Sequence, residues 1–243
     1  MEVHAHTHTP RKKWTHYFWE FLMLFLAVFC GFLAEYQLEH KIEQEKEQVY
    51  ITSMIEDLKK DTASLAFTID RYEVIDKRLD TALRLYSSIT NGYKDTLWRN
   101  LPFGFPDFVK SNKTMQQLLY AGGLRLIKKR KSSDGIIEYD LQYDDLNIDV
   151  STLRVTFYEC MGSRQELLDI AARDEDRKII SVADMNAGKK NYLLRNDLPF
   201  LGKYNNQIRT FKIICRLVKS KQRKMFEQAV QLIQVLKKEY HLE

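Results

Sequence analysis

Few residues in this chain could carry out chemistry, and the most suggestive are three histidines near its start. His4, His6 and His8 alternate, and imidazoles in that arrangement can chelate borderline divalent metal ions. Glu2 is the only carboxylate in the tail before the first tryptophan, and a flexible tail seldom holds three ligands in one geometry. We therefore predict a solvated tail without a metal site, and we expect no cofactor.

Nucleophilic catalysis is disfavoured by the spacing of the remaining candidates. His16, His40 and His241 lie far in sequence from the two candidate thiols, Cys160 and Cys215. The chain has no glycine-rich phosphate loop, no Cys-x-x-Cys motif and no nucleophile elbow. We therefore predict that the protein is not an enzyme. The two thiols could form one disulfide in an oxidising compartment or remain in the core as free thiols.

The element that organises the chain is an apolar run near its start. Residues 21–34 are uncharged, and the aromatic flanks extend this run to both sides. Counting from Trp14 to Tyr36 gives 23 residues, or roughly 34 Å of helix at about 1.5 Å per residue. Trp14, Trp19 and Tyr36 stand where aromatic side chains meet the membrane interface. We predict one transmembrane helix at 14–36.

Three alternatives to a retained span differ in their chemistry. A cleaved signal peptide needs small residues before its cleavage site, and Phe32 and Leu33 precede Ala34 instead. A lipoprotein signal would use Cys30, but Phe29 precedes it where a small residue is required. A buried core helix would explain the short run without explaining the adjacent cations and aromatic residues. The retained span is the interpretation we adopt.

The distribution of cations around the span predicts its orientation. Arg11, Lys12 and Lys13 lie directly before it, whereas only Lys41 and Lys46 follow it by residue 50. The positive-inside rule therefore places the tail in the cytoplasm and the remainder of the chain outside a bacterial inner membrane, in the periplasm. The overall net charge of +5 adds little, since the position of Lys and Arg sets topology.

One face of the predicted span carries small residues and an acid. Glu20, Ala27, Gly31 and Ala34 fall within about 40° of one line along a helix with about 100° per residue. Small residues allow a neighbouring helix to approach closely, and Glu20 would otherwise face lipid. The face predicts contact with a second copy or with another membrane protein. The alternative is that Ala and Gly are common in spans and that Glu20 reaches water at the headgroups.

The sequence after the span predicts a mainly α-helical bundle. We divide the chain into a disordered cytoplasmic tail at 1–13, the span at 14–36 and one helical-bundle domain at 37–243. Apolar residues at helical spacing predict a rod continuing to residue 60, and further helices at 62–90, 112–121, 136–172 and 203–240. Ser111 is the expected cap of the short helix, and Gly122 and Gly123 its end. This long-helix pattern is typical of bundles and coiled coils.

Several local features are expected to precede or interrupt these helices. Residues 132–135 are turn-like, 148–150 resemble a strand, and Gly162 could mark a break. A mixed connector is expected over 173–202.

An aromatic, proline-containing insert separates the second and third predicted helices. Pro102 and Pro106 interrupt regular structure over residues 93–111, and the stretch is rich in aromatic side chains. Trp98, Phe103, Phe105 and Phe108 give it this aromatic character. A solvated loop would not need these rings, so we expect the insert to fold over the helices. The rings could form plain core or a surface for a partner or ligand.

Charge is segregated along the chain. Residues 132–153 carry six acids and no cation, whereas 203–243 carry ten Lys or Arg against three Glu. A second basic cluster precedes the acidic stretch and consists of Arg125, Lys128, Lys129, Arg130 and Lys131. This pattern could bind anionic lipid, glycan or nucleic acid, or acidic and basic helices could pair within the bundle. Aromatic residues are not interleaved with the cations, which disfavours nucleic acid.

Several blocks of the chain resemble a family of uncharacterised single-span membrane proteins from Bacteroidetes-type bacteria. The blocks are residues 8–28, 31–35, 50–51, 56–61 and 118–127. The resemblance covers the first 60 residues well and the rest in patches. It implies an inner-membrane protein, and it carries over no catalytic residue, cofactor or partner.

The function predicted from these observations is interaction. We expect a membrane-anchored scaffold or sensor-like module that associates through its span and the adjoining helix at 35–60, as a homo-oligomer or with a membrane-protein partner. The alternative is an extracytoplasmic bundle that senses a small molecule or an envelope polymer between its helices. A third hypothesis, a membrane-bound anion or nucleic-acid binder, requires a continuous basic face on the last helix.

Overall fold

The computed structural model describes residues 14–86, 104–120, 122–176, 178, 192–195 and 197–242. Five α-helices lie within these residues: α1 (Trp14–Tyr86), α2 (Lys113–Leu119), α3 (Arg130–Leu167), α4 (Ile170–Asp176) and α5 (Leu198–Tyr240). A short 3-10 helix, Gly123–Leu126, follows α2. The predicted mainly α fold, with a long apolar helix near the start and a helical bundle after it, is confirmed.

The chain divides into two compact units, Met1–Val49 and Tyr50–Glu243. The described part of the first unit is helical throughout, from Trp14 onward. Its most apolar 18-residue window has a mean hydropathy of 2.0, and none of that window is buried. Three phenylalanines stack along one side of it, with ring centroids 6.3 Å apart for Phe21 and Phe25 and 5.9 Å for Phe25 and Phe29.

The second unit is built on three long helices whose buried side chains repeat at helical spacing. The third long helix, α5, shows the pattern most regularly, with buried residues three or four positions apart. They include Tyr204, Ile208, Phe211, Cys215, Val218, Gln222, Met225, Ala229, Leu232 and Leu236. Such a repeat places one stripe of each helix toward its neighbours. The core of the unit lies between these stripes.

Contacts between the long helices establish their directions. Glu73 and Asp76 of α1 pair with Arg223 and Arg216 of α5, so these two helices run antiparallel. Ser132 and Asp145 of α3 contact Glu239 and Lys221 of α5, and this pair is antiparallel as well. Within the second unit α1 and α3 are therefore parallel. A parallel pair needs a connection that returns along the bundle, and the chain between α1 and α3 supplies it.

We predicted that one helix ends at residue 60 and that the next begins at residue 62. This break is wrong, because α1 continues through it. Neither Gly nor Pro occurs between residues 50 and 86, so the backbone meets no helix breaker there. Asp61, which separated the two predicted helices, is instead a buried residue on the inner stripe of α1.

The features expected to interrupt α3 are also helical. This helix begins at Arg130 and continues through residues 132–135, 148–150 and Gly162. Ser132 is buried and donates its hydroxyl to Glu239, and a side chain at Gly135 would come within 2.8 Å of Leu232 Cδ1. Tertiary packing against α5 thus overrides the turn propensity of this stretch.

The last helix begins at Leu198, five residues before the predicted start at Lys203. Asp197 caps it by accepting a hydrogen bond from the backbone N–H of Phe200, and Pro199 stands in the first turn. Both features are typical helix starts. The predicted connector at 173–202 therefore contains the last turn of α4 and the first turn of α5.

Candidate functional site: the interaction surfaces

The predicted contact face of the apolar helix is exposed. Glu20, Ala27, Gly31 and Ala34 lie on α1 within the first unit, and each is exposed to the surroundings of the helix. A Cβ atom added at Gly31 would meet no atom within 4 Å. The face therefore has room for the close approach of another helix.

The acid at the start of this face has a neighbour one turn earlier. Glu20 Oε1 lies 3.5 Å from His16 Nε2, and both side chains are about half exposed. Trp19, Met23 and Leu24 flank the pair and form a shallow apolar groove with it. The arrangement is a polar spot at one end of the apolar helix, beside an aromatic ring suited to the interface.

In the second unit, residues 104–112 form a returning segment that runs back along α1 and α3. Tyr72 of α1 donates a hydrogen bond to the carbonyl oxygen of Pro106 at 2.9 Å. Further along, the backbone N–H of Ser111 donates to Asp61 Oδ1 at 2.7 Å. The segment passes residue 72 before residue 61 of α1, so it is antiparallel to that helix. Side chains of α1 thereby satisfy backbone groups that regular structure would otherwise pair.

A buried lysine attaches the same segment to α3. The side chain of Lys110 is only 3% exposed and forms an ion pair with Asp140. Its Nζ also lies 4.6 Å from the ring centroid of Tyr143, which is a cation–π geometry. A buried cation is tolerated because it has both a carboxylate and a ring face as partners.

The short helix α2 is capped by another helix and not by its own predicted cap. Asn112 occupies the N-cap position without a side-chain hydrogen bond, so the predicted capping by Ser111 is wrong. Asp57 of α1 instead accepts from the backbone N–H of Thr114 at 3.3 Å and from its hydroxyl at 2.6 Å. The helix ends at Leu119 with Tyr120 as its C-cap, two residues before the predicted end at 121, and Gly122 just beyond it adopts a left-handed backbone conformation with φ of 73°.

The aromatic residues predicted for a partner surface have different positions. Phe108 is buried and lies edge-on to Tyr143, with centroids 5.9 Å apart. Phe105 is half-buried and lies edge-on to Phe157 at 5.5 Å. Both rings belong to the packed interior, as the core alternative predicts. Trp98 and Phe103 lie outside the described residues.

A groove opens where the returning segment meets α3. Its volume is about 410 Å³, and Phe108 contributes to its wall. Tyr143, Asn147 and Tyr158 of α3 line it, and Arg154 forms an ion pair across it with Asp107 at 3.1 Å. The volume is in the range of small-ligand sites, and the lining combines apolar walls with a few polar groups.

The basic cluster predicted as an anion site extends over several elements. Arg125 lies in the 3-10 helix, Lys128 and Lys129 in the following link, and Arg130 and Lys131 in the first turn of α3. Lys129 Nζ stacks over the ring of Tyr240 at 4.3 Å, and Arg130 pairs with Asp134.

The cations of the last helix largely face acids of the neighbouring helices. Arg216 binds Asp76 through two nitrogens, at 2.7 and 3.1 Å, and lowers the pKa of that carboxyl group. Lys221 lies 2.8 Å from Asp145 and 2.7 Å from Asp149, and Lys212 pairs with Asp80. The expected pairing of acidic and basic helices is therefore present, and it interrupts a continuous basic face.

The two cysteines of the bundle are buried free thiols in this structure. Burial raises the pKa of Cys160 to about 12, and it raises the pKa of Cys215 as well. Such thiols are poor nucleophiles because the thiolate form is disfavoured. Among the described residues, no three or more His, Cys, Asp and Glu side chains group as a metal site would require. His4, His6 and His8 lie outside the described residues.

The sequence did not identify the buried polar cluster that holds the returning segment. Asp57 and Asp61 are four residues apart on the inner stripe of α1, and Tyr139 donates its hydroxyl to Asp61. A carboxylate at a core position of a helical repeat is the sequence signal that could have indicated this cluster, since acids are seldom fully buried without partners.

No protein-family model, no curated protein and no solved structure matches this chain. Three features of the described residues stand out: the exposed apolar helix, the returning segment and the groove. Of these, the apolar helix is the most unusual, because a long apolar surface in water would be strongly unfavourable.

Proposed function

We propose that this protein is a membrane-anchored interaction protein with a single span and a helical domain. One observation carries the proposal: the apolar window of α1 has a mean hydropathy of 2.0 and no buried part. A core helix of the same composition would be buried by other parts of the chain, whereas this window is exposed along its whole length. A bilayer supplies the missing apolar environment.

The proposed location is a bacterial inner membrane, with the tail in the cytoplasm and the bundle in the periplasm. Arg11, Lys12 and Lys13 before the span support this orientation. The resemblance to single-span proteins of Bacteroidetes-type bacteria supports the inner membrane. Labelling of two single-cysteine variants, Ser53→Cys in the bundle and Thr9→Cys in the tail, tests this orientation. A membrane-impermeant maleimide should label Ser53→Cys without opening the inner membrane, and Thr9→Cys only after the cells are opened.

The proposed mechanism is association of helices through the small-residue face, without bond chemistry. Ala27 and Gly31 would let a second span approach closely, and Glu20 would find a polar partner there. The apolar residues Leu38 and Ile42, exposed on α1, would extend the contact beyond the membrane. The partner is a second copy of the chain or another membrane protein.

Energy transfer between labelled copies in lipid vesicles tests this mechanism. Ala27→Leu combined with Gly31→Leu should abolish transfer, because the larger side chains keep the helices apart. Phe25→Leu combined with Phe29→Leu, on the opposite side of the helix, is the matched control and should leave transfer unchanged. Equal transfer in all three proteins would overturn homotypic association through this face.

The alternative function is ligand sensing, and the groove beside Phe108 favours it. Its volume of about 410 Å³ fits a small molecule, and Asn147 and Arg154 offer polar contacts. Ser151 lines the same groove, so Ser151→Trp should fill it without disturbing the core. Native mass spectrometry of the purified protein would then show a bound molecule in the wild type and none in the variant. No catalytic residue is proposed.

A further inference from the structure

The outer face of α3 carries an unusual apolar stripe. The buried residues of this helix face α1 and α5, and the positions between their repeats point away from the core. Three of those outward positions, seven residues apart, are Leu141, Ile148 and Val155. They are 62%, 66% and 59% exposed. Outward positions of a bundle helix are ordinarily polar, since nothing removes them from water.

Two more residues lengthen this outer stripe at helical spacing. Ile137 precedes Leu141 by four residues, and Tyr158, which is 65% exposed, follows Val155 by three. The stripe therefore extends along about 33 Å of helix at about 1.5 Å per residue. A single exposed leucine needs no explanation, but a periodic apolar line along one helix is what a second helix would bury.

The groove described above adjoins this stripe at its carboxyl-terminal half. Val155 and Tyr158 belong to both features, and Val109 of the returning segment forms the opposite wall. Val109 is itself 73% exposed. A concave apolar site beside a linear stripe could accept one large side chain of a docked helix and so fix its register.

The charges beside the stripe indicate which kind of helix would dock. Glu138, Asp144 and Glu159 are exposed on the same side of α3, and none has an ion pair among the described residues. The one cation along this part of the face, Arg154, is already paired with Asp107. Glu138 lies beside the stripe, whereas Asp144 and Glu159 lie on its own line, so the stripe both carries and adjoins acids without an ion pair among the described residues. A helix bordered by Lys and Arg complements them, whereas a second copy of α3 would bring only more acids.

We propose that the outer stripe of α3 docks an amphipathic helix of a different protein, with apolar residues at three- and four-residue spacing bordered by Lys and Arg. This inference is independent of the span, because it rests on a separate surface of the bundle. It would give the membrane-anchored domain a specific protein partner in its own compartment.

Binding of synthetic helices to the full chain tests the proposal. The protein is placed in nanodiscs of phosphatidylcholine, and the probe is a labelled peptide of about four heptads with Leu at the apolar positions and Lys beside them. A second peptide has Glu in place of every Lys. Fluorescence anisotropy should show the Lys peptide binding at least about tenfold more tightly, with an affinity that falls as salt rises. Empty nanodiscs give the background.

Two variants locate the binding. Ile148→Ser combined with Val155→Ser should weaken the Lys peptide by at least about tenfold, which is the loss of roughly 1.4 kcal/mol of contact. Phe67→Ser combined with Ile213→Ser removes two comparably exposed apolar residues from α1 and α5 and should change nothing. Circular dichroism checks that both variants are folded.

Three outcomes would overturn the proposal. The first is equal binding of the two peptides, and the second is unchanged binding by the stripe variant. The third is that the protein self-associates in the absence of peptide and that Ile148→Ser combined with Val155→Ser abolishes this self-association. The stripe would then be the contact between copies.

Discussion

Tyr139 of α3 donates its hydroxyl to the carboxylate of Asp61 on α1 across 2.8 Å, inside the bundle. The same carboxylate accepts the backbone N–H of Ser111, so one side chain joins two long helices and the returning segment. Burial raises the pKa of Tyr139, which keeps the hydroxyl protonated and able to donate. The position of the returning segment, and of the groove beside it, depends on this cluster.

The pH dependence of stability should reveal the burial of Asp61. Burial raises its pKa above the ordinary 3.8, against the hydrogen bonds from Ser111 and Tyr139 that lower it. The folded state then holds this proton more tightly than the unfolded state does. The contribution of Asp61 to the stability of the fold is therefore present below the ordinary pKa, and it is lost as pH rises through the folded pKa. Asp61→Asn removes this titration.

Chemical unfolding of the full chain in detergent between about pH 4 and about pH 8 measures the effect. The free energy of unfolding of Asp61→Asn minus that of wild type should increase as pH rises, because wild type loses stability over this range and the variant does not. Asp144→Asn, at an exposed position of α3 without an ion pair among the described residues, is the control. A parallel pH profile for Asp61→Asn and wild type would contradict the prediction.

Asp76 should behave in the opposite sense. Its hydrogen bonds to Arg216 lower its pKa below the ordinary 3.8, so it stabilises the fold above that pH and loses this effect as pH falls through the folded pKa. Asp76→Asn should cost about 1 kcal/mol or less at neutral pH, since the partner guanidinium is half exposed. The loss should shrink in acid and in high salt. Asp70→Asn, an exposed acid on the same helix, is the control.

The thiols should be unreactive until the bundle unfolds. In a Cys30→Ser background, neither Cys160 nor Cys215 should react with iodoacetamide in the native protein, because burial disfavours both thiolates and blocks access. Both should react fully in denaturant without reductant, as counted by mass spectrometry. A denatured protein that reacts only after reduction would show that the two form a disulfide.

The two glycines after α2 should differ in what they tolerate. Gly122 has φ of 73° with open space around it, so Gly122→Asn should be mild and Gly122→Ala should cost about 1 kcal/mol. At Gly123 an added Cβ would lie 2.9 Å from the backbone oxygen of Gln117, which cannot move without distorting the helix. Gly123→Ala should therefore lower the thermal midpoint more than Gly122→Ala does.

The sequence predicted the helices wherever apolar spacing alone determined them. The long apolar helix near the start of the chain and the long last helix follow from local patterns. The start of α3 does not, because Gly135 and Ser132 favour a turn locally and are helical only against Leu232 and Glu239 of α5. Those partners are about one hundred residues away in sequence, and local propensity carries no information about them.

The same limit applies to the candidate site. The aromatic character of the insert predicted that it folds over the helices, and Phe105 and Phe108 do pack there. Its path could not be predicted, since it depends on Tyr72 reaching Pro106 and Asp61 reaching Ser111. These contacts join residues 34 and 50 positions apart in sequence, so local patterns carry no information about them.

A buried amide in the core gives the last prediction. Gln222 of α5 is fully buried, and its Oε1 lies 3.0 Å from the hydroxyl oxygen of Thr68 on α1. That hydroxyl also lies 3.0 Å from the carbonyl oxygen of Leu65, and its one proton can serve only one acceptor. The Nε2 group of Gln222 has no partner among the described residues. The amide is therefore incompletely hydrogen-bonded in either orientation.

Gln222→Leu should raise the free energy of unfolding by about 1–3 kcal/mol, because it removes a buried polar group that lacks a partner. Thr68 keeps its hydrogen bond to the Leu65 carbonyl in that variant. Thr68→Val alone should destabilise the protein, since it removes the partner that Gln222 has, and adding Gln222→Leu should reverse that loss. Thermal unfolding of all four proteins forms a double-mutant cycle. A loss of stability in Gln222→Leu would mean instead that this polar layer is required to align α1 with α5.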